Sequence, residues 1–190
     1  MKRAVLIAKD DLTIRRMLDD ARDYDLIVRW RNLPHVRYWW DPDDPPLTRD
    51  TAIDEYRQDT LGDGPTTACI VELQGKPVGF MQFYQWSSYG PYASAIGIPF
   101  DANCWGIDIF IGEPDQVGRG LGTRMVNLLC EYLEKEHNVS AVTLTTEVDN
   151  AVAIRCYEKA GFVRVVEVRD TDTRNGERVM SWVMTRFRQQ

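Results

Sequence analysis

A glycine-rich turn in the second half of the chain has the composition of an anion-binding loop. Within 117–123, Gly118, Gly120 and Gly122 alternate with other residues, after a strand predicted at 105–111 and before a predicted helix. Glycines let the backbone approach a ligand closely, and the first turn of a helix presents unpaired N–H groups at the positive end of its dipole. The turn is therefore suited to a pyrophosphate.

Glycine spacing alone leaves the ligand of this turn open, and a plain tight turn is the alternative. No Gly-Lys-Ser or Gly-Lys-Thr ends the segment, so it is not a P-loop. Its G-x-G-x-G spacing also differs from the G-x-G-x-x-G of the dinucleotide fingerprint. If an anion binds, Arg119 and Arg124 are the candidates for added positive charge.

A second segment narrows the choice of ligand for the glycine turn. The run from Asn150 to Phe162, Asn-x-x-Ala-Ile-Arg-Cys-Tyr-Glu-Lys-Ala-Gly-Phe, begins 28 residues beyond Gly122 and resembles the signature helix of the GNAT acetyltransferase superfamily. The glycine turn resembles that superfamily's R/Q-x-x-G-x-G/A pyrophosphate loop, with Gly120 and Gly122 in the glycine positions. Val117 replaces the usual Arg or Gln, but backbone amides can bind a pyrophosphate without that side chain.

The resemblance extends over about residues 12–186 to the aminoglycoside 6'-N-acetyltransferases. The segments that carry it are Trp30-Arg31-Asn32, His35-Val36-x-x-Trp39-Trp40, Gly75-Lys76-Pro77-Val78-Gly79, Gly106-Ile107-Asp108 and the glycine turn. Related siderophore-type lysine acyltransferases share the general plan, and the Gly-Ile-Asp favours the antibiotic-modifying branch. The resemblance implies an α/β GNAT fold, a mixed central sheet with flanking helices and a splayed strand pair that binds acetyl-CoA.

The resemblance also assigns the chemistry. Amine acetylation needs an acceptor for the amine proton, stabilisation of an oxyanion and a proton for the leaving thiolate. Asp108 is the implied base, Tyr157 the implied acid, and a backbone N–H around 109–111 the implied oxyanion donor. A solvent-facing aspartate on an alternating strand and a tyrosine that only packs in the core are the alternatives for the two side chains.

Acetyl-CoA is the implied cosubstrate, and no metal is expected because His35 and His137 form no ligand pair. The segments implied to hold acetyl-CoA are the strand end, the glycine turn and the second helix. Their residues are Ile109, Phe110, Ile111, Val117, Gly118, Arg119, Gly120, Leu121, Gly122, Thr123, Asn150, Ala153, Tyr157 and Lys159. Asn150 is also predicted to cap its helix, and the two roles can coexist.

An aminoglycoside is a polycation covered in hydroxyls, so its cleft needs carboxylates and aromatic ring faces. The expected substrate-binding residues are Trp39, Trp40, Gln82, Tyr84, Asp108, Glu147 and Asp172, with Trp86, Asp41, Asp43 and Asp44 as further candidates. Any one of the aromatic residues can instead belong to the core. Glu147 is shifted by two residues from the position where related enzymes carry an aspartate, which leaves the preferred drug open.

Hydrophobic periodicity predicts the elements that position these residues. Strands are expected at 12–17, 67–73, 78–86, 105–111, 139–145, 162–170 and 178–187, and helices at 19–30, 48–59, 123–136 and 150–161. The proline-rich, aromatic segment 34–47 is predicted to be an irregular loop, and 87–103 a flexible loop. The whole chain, 1–190, is expected to form one domain, with 1–11 as a possible N-terminal extension.

Composition restricts the class of protein and of partner. A net charge of −6, from 29 acidic and 23 basic residues, argues against nucleic acid and leaves a cationic partner open. Four scattered cysteines predict neither a disulfide framework nor a zinc site. No signal peptide or membrane-spanning run is recognised, so a cytoplasmic protein, monomeric or homodimeric, is expected.

Two other functions stay open from the sequence. One is acylation of a hydroxylysine or of a protein amine, and the other is a non-catalytic acyl-CoA-binding module. The presence of Asp108 and Tyr157 counts against the second. Direct transfer in a ternary complex is expected, because no cysteine or serine lies in an evident nucleophile arrangement.

Overall fold

The chain forms one twisted sheet that is covered by helices on both faces. The structure, a computed structural model, describes residues 4–95 and 103–188, and the backbone alone at 171–174. The strands are β1 Val5–Lys9, β2 Leu12–Arg16, β3 Thr66–Leu73, β4 Lys76–Gln85, β5 Cys104–Ile111, β6 Ala141–Glu147, β7 Val163–Arg174 and β8 Glu177–Phe187. The helices are α1 Ala21–Arg31, α2 Pro34–Arg37, α3 Arg49–Leu61, α4 Gly90–Ala95, α5 Leu121–Glu136 and α6 Ala151–Lys159.

The predicted mixed α/β architecture is confirmed, with strand order β1-β2-β3-β4-β5-β6-β8-β7. Two predicted loops need correction, and one strand was not predicted. Residues 5–9, within the possible N-terminal extension 1–11, form an edge strand on β2. The expected loop 34–47 begins with the short helix α2, and the expected loop 87–103 begins with a 3-10 turn, Trp86–Tyr89, and α4. Residues 96–102 of that predicted loop lie outside the described residues.

Tertiary contacts, rather than local periodicity, order these two segments. Trp86 is fully buried, stacks on Tyr92 at 6.1 Å and donates from its indole to the carbonyl of Thr143 at 3.1 Å. In α2, Val36 is buried beneath the neighbouring helices, and its Pro34 occupies the first turn, where a missing N–H costs nothing. Thr143 lies 57 residues beyond Trp86, so no local sequence pattern shows this contact.

The sheet divides where β5 and β6 meet. These two parallel strands pair only through residues 104–106 and 141–143. Beyond that point β5 continues to Ile111 on β4, and β6 continues to Glu147 on β8. The predicted splayed strand pair is therefore present, and a gap opens between the two halves of the sheet.

Side-chain alternation gives the sheet a core on each face. On one face α5 and α6 pack against Met81, Phe83 and Ile107. On the other face α1, α2 and α3 pack against Phe80 and Phe110, whose rings stack at 5.3 Å. The strands bordering the gap are thus held from both sides.

A buried ion pair joins the first helix to the sheet. Arg15 of β2, which is 2% exposed, donates to both carboxylate oxygens of Asp23 on α1 at 2.6 and 2.8 Å. Its Nε donates to Glu72 on β3 at 2.8 Å. Burying these charges is costly, so removing one partner leaves an uncompensated charge in the interior.

Replacing Arg15 by Met should lower the free energy of unfolding by about 3–5 kcal/mol, because two buried carboxylates lose their counter-ion. The matched control is Arg49→Met, which removes an exposed guanidinium that pairs with Asp25. That change should cost less than about 1 kcal/mol. Urea denaturation measures the free energy of unfolding of both variants. An equal decrease in the two would contradict the role given to Arg15.

Candidate active site

A cleft of about 1220 Å³ occupies the gap between the separated strands. It brings together most of the residues expected at the site. Those lining it are Trp39, Trp40, Gln82, Tyr84, Asp108, Ile109, Phe110, Ile111, Val117, Gly118, Gly120, Gly122, Thr123, Glu147, Asn150, Ala153, Tyr157 and Lys159. Residues from seven of the chain's helices, strands and turns therefore converge on one space.

The glycine turn begins α5 without a side-chain cap. Gly118 and Gly120 have φ values of +78° and +79°, the left-handed region that favours glycine. Gly120 is the N-cap of α5 and, having no side chain, forms no side-chain cap on the first N–H groups of that helix. These donors, at the positive end of a 16-residue helix, suit an anion.

The splayed part of β5 presents backbone groups to the cleft. Gly112 N donates to Val78 O at 2.8 Å. By the alternation of an antiparallel pair, the backbone N–H and C=O groups of the even-numbered residues of β5 therefore point toward β4. Those of the odd-numbered residues point toward β6, which no longer pairs with β5 beyond residue 106. The N–H groups of Ile109 and Ile111 consequently face the gap.

Asp108 lies opposite Gln82 in the β4–β5 register and is half-buried in the cleft. Gln82 Nε2 donates to its carboxylate at 2.8 Å. The pKa of Asp108 is raised to about 6. Burial is the main cause and the charge of Asp41 adds to the rise, while interactions with Gln82 and Tyr84 partly oppose it. The side chain can therefore exchange a proton near neutral pH.

Tyr157 of α6 is 7% exposed and borders the same cleft. Burial raises the pKa of its hydroxyl above the usual value, and the charge of Asp108 adds to that rise. The phenol is thus held in its protonated form, close enough to sense the carboxylate. Its ring also packs on Phe162 at 5.8 Å, so packing and proton donation are compatible.

Acidic side chains dominate the rest of the cleft. Besides Asp108, the carboxylates lining it are Asp41, Glu55, Glu147 and Asp170. Buried Arg31 donates to Asp41 at 2.7 Å and to Glu55 at 2.6 Å, which fixes both at the α2–α3 side. The sequence did not indicate Glu55 or Asp170, because their strand and helix positions give no sign of the cleft.

Of the expected basic residues only Lys159 lines the cleft, and Arg155 joins it. Arg124 pairs with Asp11, and Arg119 is exposed on the glycine turn without lining the cleft. Arg155 and Lys159 both lie on α6. That helix packs so closely on the start of α5 that a Cβ at Gly122 would lie 3.0 Å from the Cys156 sulfur.

Several other predicted residues lie elsewhere. Leu121 is buried in the α5 core, so only its backbone can serve a ligand. Trp86 is a core residue, and Asp43 and Asp44 do not line the cleft. Asp172 lies in β7, where side chains are not described.

His35 is a further residue that sequence reasoning placed in no role at the site. Its Nε2 lies 3.0 Å from the carbonyl oxygen of Ile111, which ties α2 to the end of β5. This contact places Trp39, at 38% exposure, and Trp40 along the cleft wall. Trp40 also packs on Phe110 at 5.1 Å, so its ring is partly structural.

Within the described ranges 4–95 and 103–188, no helix is long and apolar enough to cross a membrane. Over the same part of the chain, His, Cys, Asp and Glu side chains form no group of three or more that could hold a metal ion.

Comparison with known proteins identifies relatives of the chain. Residues 19–170 match the sequence model of a family described as acetyltransferase (GNAT) domain. The chain is 32% identical over 168 residues to the aminoglycoside N(6')-acetyltransferase type 1 of Klebsiella pneumoniae, a match covering 87% of this chain and 80% of that protein.

Solved structures share the fold. The structure of AAC(6')-Ib in complex with ribostamycin and coenzyme A matches with a TM-score of 0.77 at 29% identity, covering 94% of each chain. A spermidine N-acetyltransferase from Vibrio cholerae, in complex with CoA and spermine, matches with a TM-score of 0.73. At 19% identity, this second likeness shows the fold alone.

The electrostatic coupling in the cleft is directly measurable. Asp41→Asn should lower the pKa of Asp108 from about 6, because the negative charge that disfavours its ionisation is removed. A carboxyl ¹³C NMR titration, with the Asp108 signal assigned from Asp108→Asn, measures the change. Asp43→Asn is the control, and an equal shift in both variants would show that the coupling is not specific to the cleft.

Proposed function

This chain belongs to the GNAT acetyltransferase family, and on that premise we propose that it transfers acetyl from acetyl-CoA to the 6'-amino group of an aminoglycoside. The amine attacks directly within a ternary complex. Likeness over most of its length to an aminoglycoside N(6')-acetyltransferase supports the substrate class. The observation that carries the proposal is the cleft in the divided sheet, in which Asp108 and an uncapped helix start face one space.

The cleft fits acetyl-CoA from one side. The first N–H groups of α5 suit the pyrophosphate, and Arg155 and Lys159 add positive charge beside it. The gap between β5 and β6 offers backbone groups to the pantetheine arm and the acetyl group. A thioester held there would lie along Ile109 and Ile111.

Asp108 serves as the base in this proposal. Its carboxylate binds the ammonium form of the substrate amine and takes one proton, which leaves a neutral nitrogen nucleophile. The nitrogen attacks the thioester carbonyl carbon, and a C–N bond forms while the carbonyl oxygen gains negative charge. The N–H of Ile109 or Ile111 stabilises that oxyanion.

Collapse of the tetrahedral intermediate breaks the C–S bond and leaves a thiolate. Tyr157 donates its phenolic proton to the sulfur, and the phenolate is reprotonated from solvent. The nitrogen, which became cationic on attack, loses its extra proton to solvent, so the amide is released neutral. Burial keeps this tyrosine protonated before the reaction, which is the form that a general acid requires. The products are the N-acetylated amine and CoA.

The acids and rings of the cleft fit a polycationic, hydroxylated acceptor. Asp41, Glu55, Glu147 and Asp170 line the cleft together with Asp108. Even with Arg31 paired to Asp41 and Glu55, acids predominate, and this concentrates cationic ligands. Trp39 and Tyr84 provide faces on which sugar rings stack. A simple peptide amine would engage few of these groups.

A CoA-release assay tests the acceptor class. The panel comprises kanamycin, tobramycin and ribostamycin, with spermine, a lysine peptide and hydroxylysine as alternatives. We expect release with the aminoglycosides and an acetyl group on the 6'-nitrogen by NMR of the product. Release only with the other amines would overturn the acceptor class, and thermal stabilisation by acetyl-CoA without release from any amine would indicate a binding module.

Asp108→Asn should lower kcat by about 10²–10⁴-fold, because the amine loses its proton acceptor. Binding of acetyl-CoA, measured by calorimetry, should be unchanged. In the native enzyme kcat/KM should fall as the pH drops through about 6, since protonation removes the base. The control is Asp115→Asn, which changes an exposed acid outside the cleft. Full turnover by Asp108→Asn would show that Asp108 is not the base.

Tyr157→Phe keeps the packed ring and removes the acidic proton. We expect CoA release to slow by about 10²-fold or more, with the melting temperature little changed. Tyr132→Phe on α5, a partly buried tyrosine outside the cleft, is the matched control. An unaltered rate in Tyr157→Phe would leave this residue with its packing role alone.

A further inference from the structure

Gly106 leaves a slot in β5 that a tyrosine ring from β4 fills. Tyr84 is its register partner, and a Cβ built on Gly106 would lie 2.2 Å from Cε2 and 2.5 Å from Cζ of Tyr84. No side chain can coexist with the ring at such distances. The outer edge of the ring therefore crosses the β5 backbone where other residues would have a Cβ.

The slot places the tyrosine next to Asp108. Residues 106 and 108 point to the same face of the sheet, so the next side chain along β5 on that face is the carboxylate. The two groups are coupled: Tyr84, as a donor, lowers the pKa of Asp108, while burial and then the charge of Asp108 raise the pKa of Tyr84. Gln82 supplies a second donor at 2.8 Å, so β4 provides both.

Neighbouring rings hold Tyr84 in place. The Trp86 ring lies 5.3 Å and the Tyr89 ring 4.8 Å from it, both edge-on. The hydroxyl of Tyr89 bonds to Thr66 Oγ1 at 2.6 Å, which anchors that ring to β3. Burial of Trp86 makes this support rigid.

We propose that Tyr84, seated across Gly106, is a positioning residue that holds the Asp108 carboxylate, together with Gln82, in the orientation that receives the amine proton. This inference rests on the proposed role of Asp108 as the base. It gives the glycine of the Gly-Ile-Asp motif a physical purpose, because any larger residue there would expel the ring that orients the aspartate. Tyr84 then acts through Asp108 rather than by stacking on the substrate alone.

A carboxylate with two oriented donors is both fixed in direction and favoured in its charged form. The titratable groups acting on Asp108 are Tyr84 on β4, Asp41 between α2 and α3, and Tyr157 on α6. Among these, Tyr84 is the hydrogen-bond donor. Removing its hydroxyl therefore changes the titration of Asp108 in the direction opposite to removal of the Asp41 charge.

The test is Tyr84→Phe, which keeps the ring in the slot and removes the donor. We expect the acid limb of the kcat/KM profile and the ¹³C titration of Asp108 in the free enzyme to move together to higher pH, by about one pH unit. Gly106→Ala should shift both in the same direction by displacing the ring. Adding Tyr84→Phe to Gly106→Ala should then cause little further change.

Tyr132→Phe on α5 is the matched control, since this tyrosine does not line the cleft, and neither titration should move. A Tyr84→Phe protein whose Asp108 titrates as in the native enzyme would overturn the positioning role, whatever happens to Gly106→Ala. If Asp108→Asn is inactive but Tyr84→Phe leaves the Asp108 titration unchanged, only this inference is refuted. Full activity of Asp108→Asn would instead refute the proposed base.

Discussion

The limited pairing of β5 with β6 is the constraint on which the molecule depends. Three residues on each strand join the two halves of the sheet, and every other ladder of β5 and β6 runs to β4 or β8. Unpaired backbone groups in a protein interior are costly unless something satisfies them. A gap of this kind is stable only as a site that water or a ligand enters, so the topology itself prescribes a binding cleft.

The sequence predicted the elements that depend on local periodicity and on turn residues. The amphipathic stripe of α5, the Asn150 cap of α6 and the glycine-rich start of α5 all follow from residues close together in the chain. The splayed strands followed from family resemblance and not from hydrophobic pattern. By contrast, β1, α2 and α4 are only four to six residues long, too short for periodicity to identify them.

The distinction between features set by nearby residues and features set by distant contacts also applies to the site. Asp108, Tyr157 and the glycine turn belong to recognisable motifs, and the fold brings them to one cleft. The ion pairs of Arg31 with Asp41 and Glu55 join residues on separate elements, and no spacing in the sequence indicates them. Arg124 was expected near the anion, but its partner Asp11 lies in the turn between β1 and β2, a pairing that no local pattern shows. The net charge indicated the sign of the cleft only because acidic side chains collect within it.

Strand order also has a consequence for synthesis on the ribosome. The first five strands are each hydrogen-bonded to the next, so residues 5–111 can form an antiparallel meander from largely local contacts. The parallel strand β6 joins only after the α5 crossover has emerged, and β8 must then insert between β6 and β7. Asp108 belongs to the early part, and the glycine turn and Tyr157 to the late part. A growing chain that ends before β8 lacks Val179 and Ser181 of the cleft lining and also the antiparallel neighbour of β6, so the cleft is completed only once β8 has emerged.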